Sequence, residues 1–315
     1  MTLTLRLTAA AAILAALSGP TLAQEAESCA TVRLSDVGWT DITATTAVAG
    51  EILKGLGYTP DVKILSVPVT FASLKNDDLD AFLGNWMPAQ SGDVAKYIDE
   101  GSIERISTNL EGAKYTLAVP KYLYDKGLKS FADLPKFGAD LDNKIYGIEP
   151  GNDGNSLVVK MIETNDFGTK DFELVASSEQ GMLSQVARAT KAEKPIVFLG
   201  WAPHPMNSNF EIAYLDGGDA YFGPNFGGAT VHTVTRKGYT SECPNVGALL
   251  KNMTFTIEME NVIMGAILDG GEEPADAATE WLKANPGALD TWLSGVKTLD
   301  GQDGLAAVKA ALGVS

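Results

Sequence analysis

The chain has 315 residues, with 24 Lys and Arg against 40 Asp and Glu for a formal net charge of −16, and it is 45% apolar and 20% charged. That is a globular composition, long enough for one large domain or two of ordinary size. The acidity leaves no basic face for nucleic acid, and collagen-like, coiled-coil and multi-span membrane classes fail on composition.

The chain opens on a short n-region with a single positive charge, Arg6, followed by an Ala/Leu-rich apolar run over residues 7–17. That run is well short of the roughly 20 residues that cross a bilayer. Gly19-Pro20 then breaks the helix, and Thr21 and Ala23 place small residues at −3 and −1 before Gln24. Residues 1–23 therefore read as a secretory signal peptide cleaved after Ala23, and the mature chain is expected to be exported and soluble. Cys29 and Cys243 are the two cysteines. In an oxidising compartment an even pair reads as a disulfide rather than two free thiols, which would put both ends of the mature chain in one domain. Together with His204 and His232 they have no metal-ligand spacing, so no metal and no cofactor is expected.

After Cys29 short apolar strands alternate with helical stretches. Residues 31–37 read as a strand and 41–56 as a helix, with Ile42, Val48, Ile52, Leu53 and Leu56 at helical spacing and Gly57 as its stop. Next come a strand over 62–67, a short helix over 69–76 and strands over 80–84 and 115–119. A strand over 144–148 runs through a Gly-rich turn into a helix from Asn155 to about residue 164, and a strand over 172–175 follows. Ser177-Ser178-Glu179-Gln180 has the S-x-x-Q form of a capping box and opens a helix to about Lys191. Strands over 196–200 and 230–235 complete the set, and from Thr256 onward the chain looks helical, interrupted at Gly270-Gly271 and Asn285-Pro286-Gly287. Such alternation predicts an α/β fold with largely parallel sheets. One internal echo suggests two halves of similar construction: Phe82-Leu83-Gly84-Asn85-Trp86-Met87-Pro88 resembles Phe198-Leu199-Gly200-Trp201-Ala202-Pro203 with one residue deleted.

Ligands in open parallel sheets bind beyond the carboxyl ends of the strands. Trp39, Trp86 and Trp201 each follow a predicted strand, whereas Trp281 and Trp292 fall within helical periods and read as packing residues. One loop Trp alone is explained by core packing; three at equivalent strand ends point to a shared cleft. Rings facing one cleft with few basic residues nearby suit a quaternary ammonium or sulfonium, which has no N–H to donate. At up to roughly 2 kcal/mol per desolvated contact, four rings supply on the order of 4–8 kcal/mol. A micromolar Kd takes about 8 kcal/mol, so a polar anchor is expected besides. Asp41, at the start of the second element, reads both as an N-cap and as a carboxylate balancing a cation and accepting from a ligand hydroxyl. The turn Glu149-Pro150-Gly151-Asn152-Asp153-Gly154-Asn155 places Asn152 as a second hydrogen-bonding group.

Gly38-Trp39-Thr40-Asp41, Gly84-Asn85-Trp86-Met87-Pro88, Lys114-Tyr115, Glu149-Pro150-Gly151-Asn152-Asp153-Gly154 and Gly200-Trp201-Ala202-Pro203-His204 resemble the binding segments of periplasmic choline-binding proteins of ABC importers, within the wider betaine-binding family. The resemblance runs over nearly the whole mature chain, in order, and includes both cysteines. It implies a two-lobed type II periplasmic binding protein that closes like a flytrap, each lobe a mostly parallel sheet flanked by helices. Residues 24–112 and 216–315 would form one lobe and 113–215 the other. It further implies Trp39, Trp86, Tyr115 and Trp201 as an aromatic box, Asp41 and Asn152 at the hydroxyl end of choline, and Cys29–Cys243 as a structural disulfide. The implied partner is a permease–ATPase complex at the inner membrane, served by a monomer.

Betaine and dimethylsulfoniopropionate carry a carboxylate that Asp41 would repel, whereas choline carries a hydroxyl that it can accept. His204, beside Trp201, could serve a carboxylate or be a packed loop histidine. A secreted hydrolase is the other class weighed. No G-x-S-x-G, H-E-x-x-H or P-loop spacing supports it, and no enzyme is expected.

Overall fold

The computed structural model describes residues 25–314, so the predicted signal peptide lies outside the described residues. Strand β1 (Thr31–Asp36) is followed by α1 (Thr40–Gly55), β2 (Thr59–Ile64), α2 (Val67–Lys75), β3 (Ala81–Met87) and α3 (Ser91–Asp99). The long strand β4 (Ile103–Pro120) leads to α4 (Lys121–Asp125), β5 (Lys144–Tyr146), α5 (Asp153–Glu163), β6 (Glu173–Val175) and α6 (Glu179–Lys191). Then come β7 (Phe198–Ala202), α7 (Met206–Asn209), β8 (Ile212–Tyr214), the short turns α8 (Asp219–Phe222) and α9 (Pro224–Gly227), and β9 (Gly228–Arg236). Helices α10 (Tyr239–Glu242), α11 (Pro244–Asn252), α12 (Ile257–Leu268), α13 (Pro274–Ala284), α14 (Gly287–Trp292) and α15 (Gly304–Leu312) follow. No described helix is long and apolar enough to cross a membrane.

The strands join in the order β2-β1-β3-β9-β4-β7-β5-β6, with β8 on β4. Pairs β1–β2, β1–β3, β5–β6 and β5–β7 are parallel. The pairs made by β9 and β4 (β3–β9, β4–β9, β4–β7 and β4–β8) are antiparallel. This is the two-lobed α/β arrangement, but each lobe is parallel only on its flank. The middle is antiparallel because β4 and β9 run through both halves in opposite senses.

Strands and helices that carry apolar side chains at a regular spacing are where the sequence places them. In α1, Ile42, Val48, Ile52 and Leu53 are all buried, each stabilising the fold by roughly 1.5–3 kcal/mol. A helix this rich in threonine has weak intrinsic propensity and stands on that packing, wedged against the sheet and α12, α13 and α15. Strand β2 starts and ends three residues before the predicted span, because Val67-Pro68 opens α2, where proline fits the first turn. It is an edge strand that leaves Val62 and Ile64 exposed. Only the apolar end of β4 was predicted; residues 103–111 are largely polar, and their strand is held by pairing with β9 through three register shifts. The N-cap of α6 is Ser178, whose hydroxyl accepts from Gly181 N–H at 3.0 Å, not Ser177, so the S-x-x-Q box does not form.

Cys29 and Cys243 are fully buried and disulfide-bonded across a separation of 214 residues, with Cα atoms 5.7 Å apart. Closing so long a loop restricts the unfolded chain, and replacing both cysteines with serine is expected to cost about 3–5 kcal/mol. Denaturant unfolding of the double variant checks this; an unchanged midpoint would contradict it. Trp292 is buried and stacks on half-buried Trp281, with centroids 6.1 Å apart, as packing residues do.

Candidate ligand-binding site

The six residues singled out from the sequence, Trp39, Asp41, Trp86, Tyr115, Asn152 and Trp201, line one cavity together with Ile148 and Asp153. The cavity is small and tightly lined, and none of the six is more than 6% exposed. A broader, open groove between α12 and α13 gathers only one aromatic ring, Trp281.

Tyr115 stands at the centre. It lies directly across from Trp201 in the β4–β7 register, so both side chains project from one face of the sheet. Its ring meets Trp201 edge-to-face at 6.3 Å and Trp86 at 6.1 Å, with Phe222 behind at 5.8 Å. Two glycines make room for it. A Cβ on Gly154 would fall 1.9 Å from the Tyr115 hydroxyl, and one on Gly227 would fall 2.1 Å from its carbonyl oxygen. Trp86 and Trp201 are the penultimate residues of β3 and β7, which gives the sequence echo a common place in each half.

Asp41 is not the N-cap of α1. Trp39 holds that position in extended conformation, and Asp41 sits in the first turn, 1% exposed. Its Oδ2 accepts from Trp86 Nε1–H at 3.0 Å, while Oδ1 has no partner. Burial, and then the nearby Glu179 carboxylate, push its pKa up to about 8.

Asn152 caps α5. Its Oδ1 accepts from Asn155 N–H at 3.1 Å and from the Tyr115 hydroxyl at 2.9 Å, which fixes the amide orientation. Nδ2 is therefore turned away from the cap and left without a partner. The next residue, Asp153, is 2% exposed with neither carboxylate oxygen paired, and burial raises its pKa to about 7. Sequence reasoning missed it. An acid in the first turn of a helix is already explained by the helix dipole, and only burial without partners separates it from that reading.

Three hydrogen bonds link residues 39, 40 and 269 to the stretch 149–209. Trp39 Nε1–H donates to Glu149 Oε1 at 2.6 Å, which orients the indole. Thr40 N–H, unpaired within α1, donates to Glu179 Oε2 at 3.0 Å. Asn209 Nδ2–H donates to Asp269 at 3.0 Å. His204 is part of the second contact. Its Nδ1 accepts from Met206 N–H at 2.9 Å, so Nε2 carries the proton and donates to Glu179 Oε1 at 2.8 Å. Both ring nitrogens are thus used, and His204 packs behind Trp201 at 4.7 Å rather than lining the cavity.

The cavity lining holds four rings, two carboxylates and one free amide N–H, with no Lys, Arg or His. Such a chamber favours a cation and disfavours an anion.

The family model described as the substrate binding domain of ABC-type glycine betaine transport systems matches residues 30–284. A solved ABC-transporter choline-binding protein in complex with choline is 62% identical, with a TM-score of 0.90 over 91% of this chain and 100% of that one. An ABC-transporter choline-binding protein in an unliganded semi-closed conformation superimposes at a TM-score of 0.84, with the same identity and coverage. The lactococcal protein OpuAC, closed on glycine betaine, is 27% identical with a TM-score of 0.76 over 83% of this chain and 98% of that one.

Proposed function

Because the chain belongs to the family of substrate-binding domains of ABC-type glycine betaine transport systems, we propose that it captures choline and delivers it to a membrane permease–ATPase complex. The family consists of binding proteins for transport and not of enzymes, which removes the hydrolase reading. The observation that carries choline over betaine is the lining: carboxylates with unpaired oxygens, and no base to receive a ligand carboxylate. The trimethylammonium group sits among Trp39, Trp86, Tyr115 and Trp201. The ligand hydroxyl donates to Asp41 Oδ1 and accepts from Asn152 Nδ2, the two groups that the protein itself leaves unpaired. The 62% identical choline-bound relative supports this reading.

The exported chain works as a periplasmic monomer once its leader is removed after Ala23. A first crossing between the lobes near residue 112 is supported by the register shift of β4 against β9 between Leu110 and Ala113. Residues 216–227 belong with the second lobe, since Asp216 pairs with the backbone at Lys129 and Phe131, and Phe222 packs on Phe131 and Tyr115. These contacts support a return crossing near Gly228. Titration calorimetry with choline, acetylcholine, glycine betaine and dimethylsulfoniopropionate tests the reading; betaine binding tighter than choline would overturn it.

Closure also rests on Glu179, which does not line the cavity. Hydrogen bonds to a charged acceptor contribute about 1.5–3 kcal/mol, so Glu179→Ala is expected to weaken choline binding roughly 10-fold. Glu179→Gln keeps an acceptor for Thr40 and should recover part of the loss. Equal affinity in wild type and Glu179→Ala would remove the latch from the account.

A further inference from the structure

Asp153 does not cap α5 and makes no ion pair among the described residues. Its neighbour Asn152 performs the capping of α5, while Asp153 lines the cavity with both carboxylate oxygens buried and without a hydrogen-bond partner, Gln90 being the neutral polar side chain that bears on them. Isolated buried carboxylates are costly unless a counter-charge is supplied. The charges nearest to it are also negative: Glu149 from its own turn and Asp93 from α3. Across the cavity Asp41 on α1 is faced by Glu179 from α6 and Glu260 from α12. The Tyr115 hydroxyl between them is pushed upward by burial and then by Asp153, Glu149 and Asp41, so both acids bear on one point. Asp41 belongs to the half built on β1–β3 and Asp153 to the half built on β5–β6.

We infer that Asp153 is a specificity-determining residue that, with Asp41 on the opposite lobe, makes closure of the cavity conditional on a net positive ligand. When the lobes are apart each carboxylate is hydrated. Closing them without a cation forces the two acids into one dry chamber, where they must either repel each other or take up protons, and a ligand that adds positive charge removes that cost. A zwitterion with the same trimethylammonium headgroup fills the same rings but adds a third carboxylate and no net charge. The four rings recognise the headgroup, and the paired acids count the charge. The inference rests on the choline reading above and deepens it.

The test compares wild type with Asp153→Asn by calorimetry against choline and glycine betaine, and by small-angle scattering of the ligand-free proteins at neutral pH. The variant is expected to bind choline about 10-fold more weakly and betaine no more weakly, and to be more compact without ligand. Loss of both ligands by the same factor, with unchanged ligand-free compactness, overturns the inference and leaves Asp153 as a helix-terminal acid. Asp153→Ser, small and polar at the same position, provides a second reading should the asparagine variant fail to fold. Wild-type protein that does not bind choline would instead defeat the proposed function, so the two failures are distinguishable.

Discussion

Asp41→Asn is expected to weaken choline binding roughly 100-fold while leaving the fold intact. Two unit charges about 5 Å apart at an effective dielectric of about 20 interact by roughly 3 kcal/mol, and each 1.4 kcal/mol is a factor of about ten in affinity. The amide is isosteric and its oxygen still accepts from Trp86 Nε1, so the indole keeps its orientation. What disappears is the charge and the acceptor at Oδ1, the atom that has no partner within the protein. The pH dependence follows from the same group. Burial pushes the pKa of Asp41 up to about 8 and that of Asp153 up to about 7, above the ordinary carboxylate range. A raised pKa means that protonation favours the buried arrangement of these acids, fully so below the ordinary carboxylate value. That stabilisation is lost as pH rises towards about 8. A bound cation requires the deprotonated acids, so choline affinity should increase with pH through this window and level off above it. Calorimetry across pH, in buffers of different ionisation enthalpy, should detect protons released on binding, and Asp41→Asn should release fewer. Unchanged affinity in the variant would reduce Asp41 to a structural acid.

How much of this was legible beforehand varies with what holds each segment. Strands β1, β3 and β7 and helix α1 carry their apolar residues on a regular spacing, and the sequence places them within a few residues. The tryptophans at the ends of those strands inherit that accuracy, which is why the sequence brought together side chains more than a hundred positions apart. The polar half of β4 has no such pattern; it is a strand because β9 pairs with it. Helix α3 escaped notice for a related reason, since only Val94 and Tyr97 are buried along it. Glu179 was read as part of a capping box, a local role, and its actual partners are Thr40 and His204. The same pairing settles the histidine, whose proximity to Trp201 in sequence left open a part in binding a carboxylate. Long-range polar partners of this kind leave no periodic trace in a sequence.

Trp86→Ala is expected to be the most damaging single change at the site, lowering choline affinity by roughly 1,000-fold. Trp86 differs from the other rings in doing two things at once: it walls the cavity and donates Nε1–H to Asp41 at 3.0 Å. Removing it forfeits a desolvated cation–π contact of about 2 kcal/mol. It also leaves the second oxygen of a buried carboxylate unpaired, at about 1.5–3 kcal/mol for a charge-assisted hydrogen bond. Tyr115 loses its edge-to-face neighbour as well. Trp86→Phe separates these contributions, because it keeps a ring and removes only the donor, and a loss of roughly 10-fold is expected for it. The two residues form a coupled pair, so the Trp86→Phe effect should shrink in an Asp41→Asn background, where the acceptor is neutral and its unpaired oxygen costs less. A double-mutant cycle read by calorimetry measures that coupling, with circular dichroism melts to verify that each variant is folded at the temperature of titration. If the two substitutions are strictly additive, the indole acts as a ring alone, and its hydrogen bond to Asp41 does not hold the anionic group in place for the ligand.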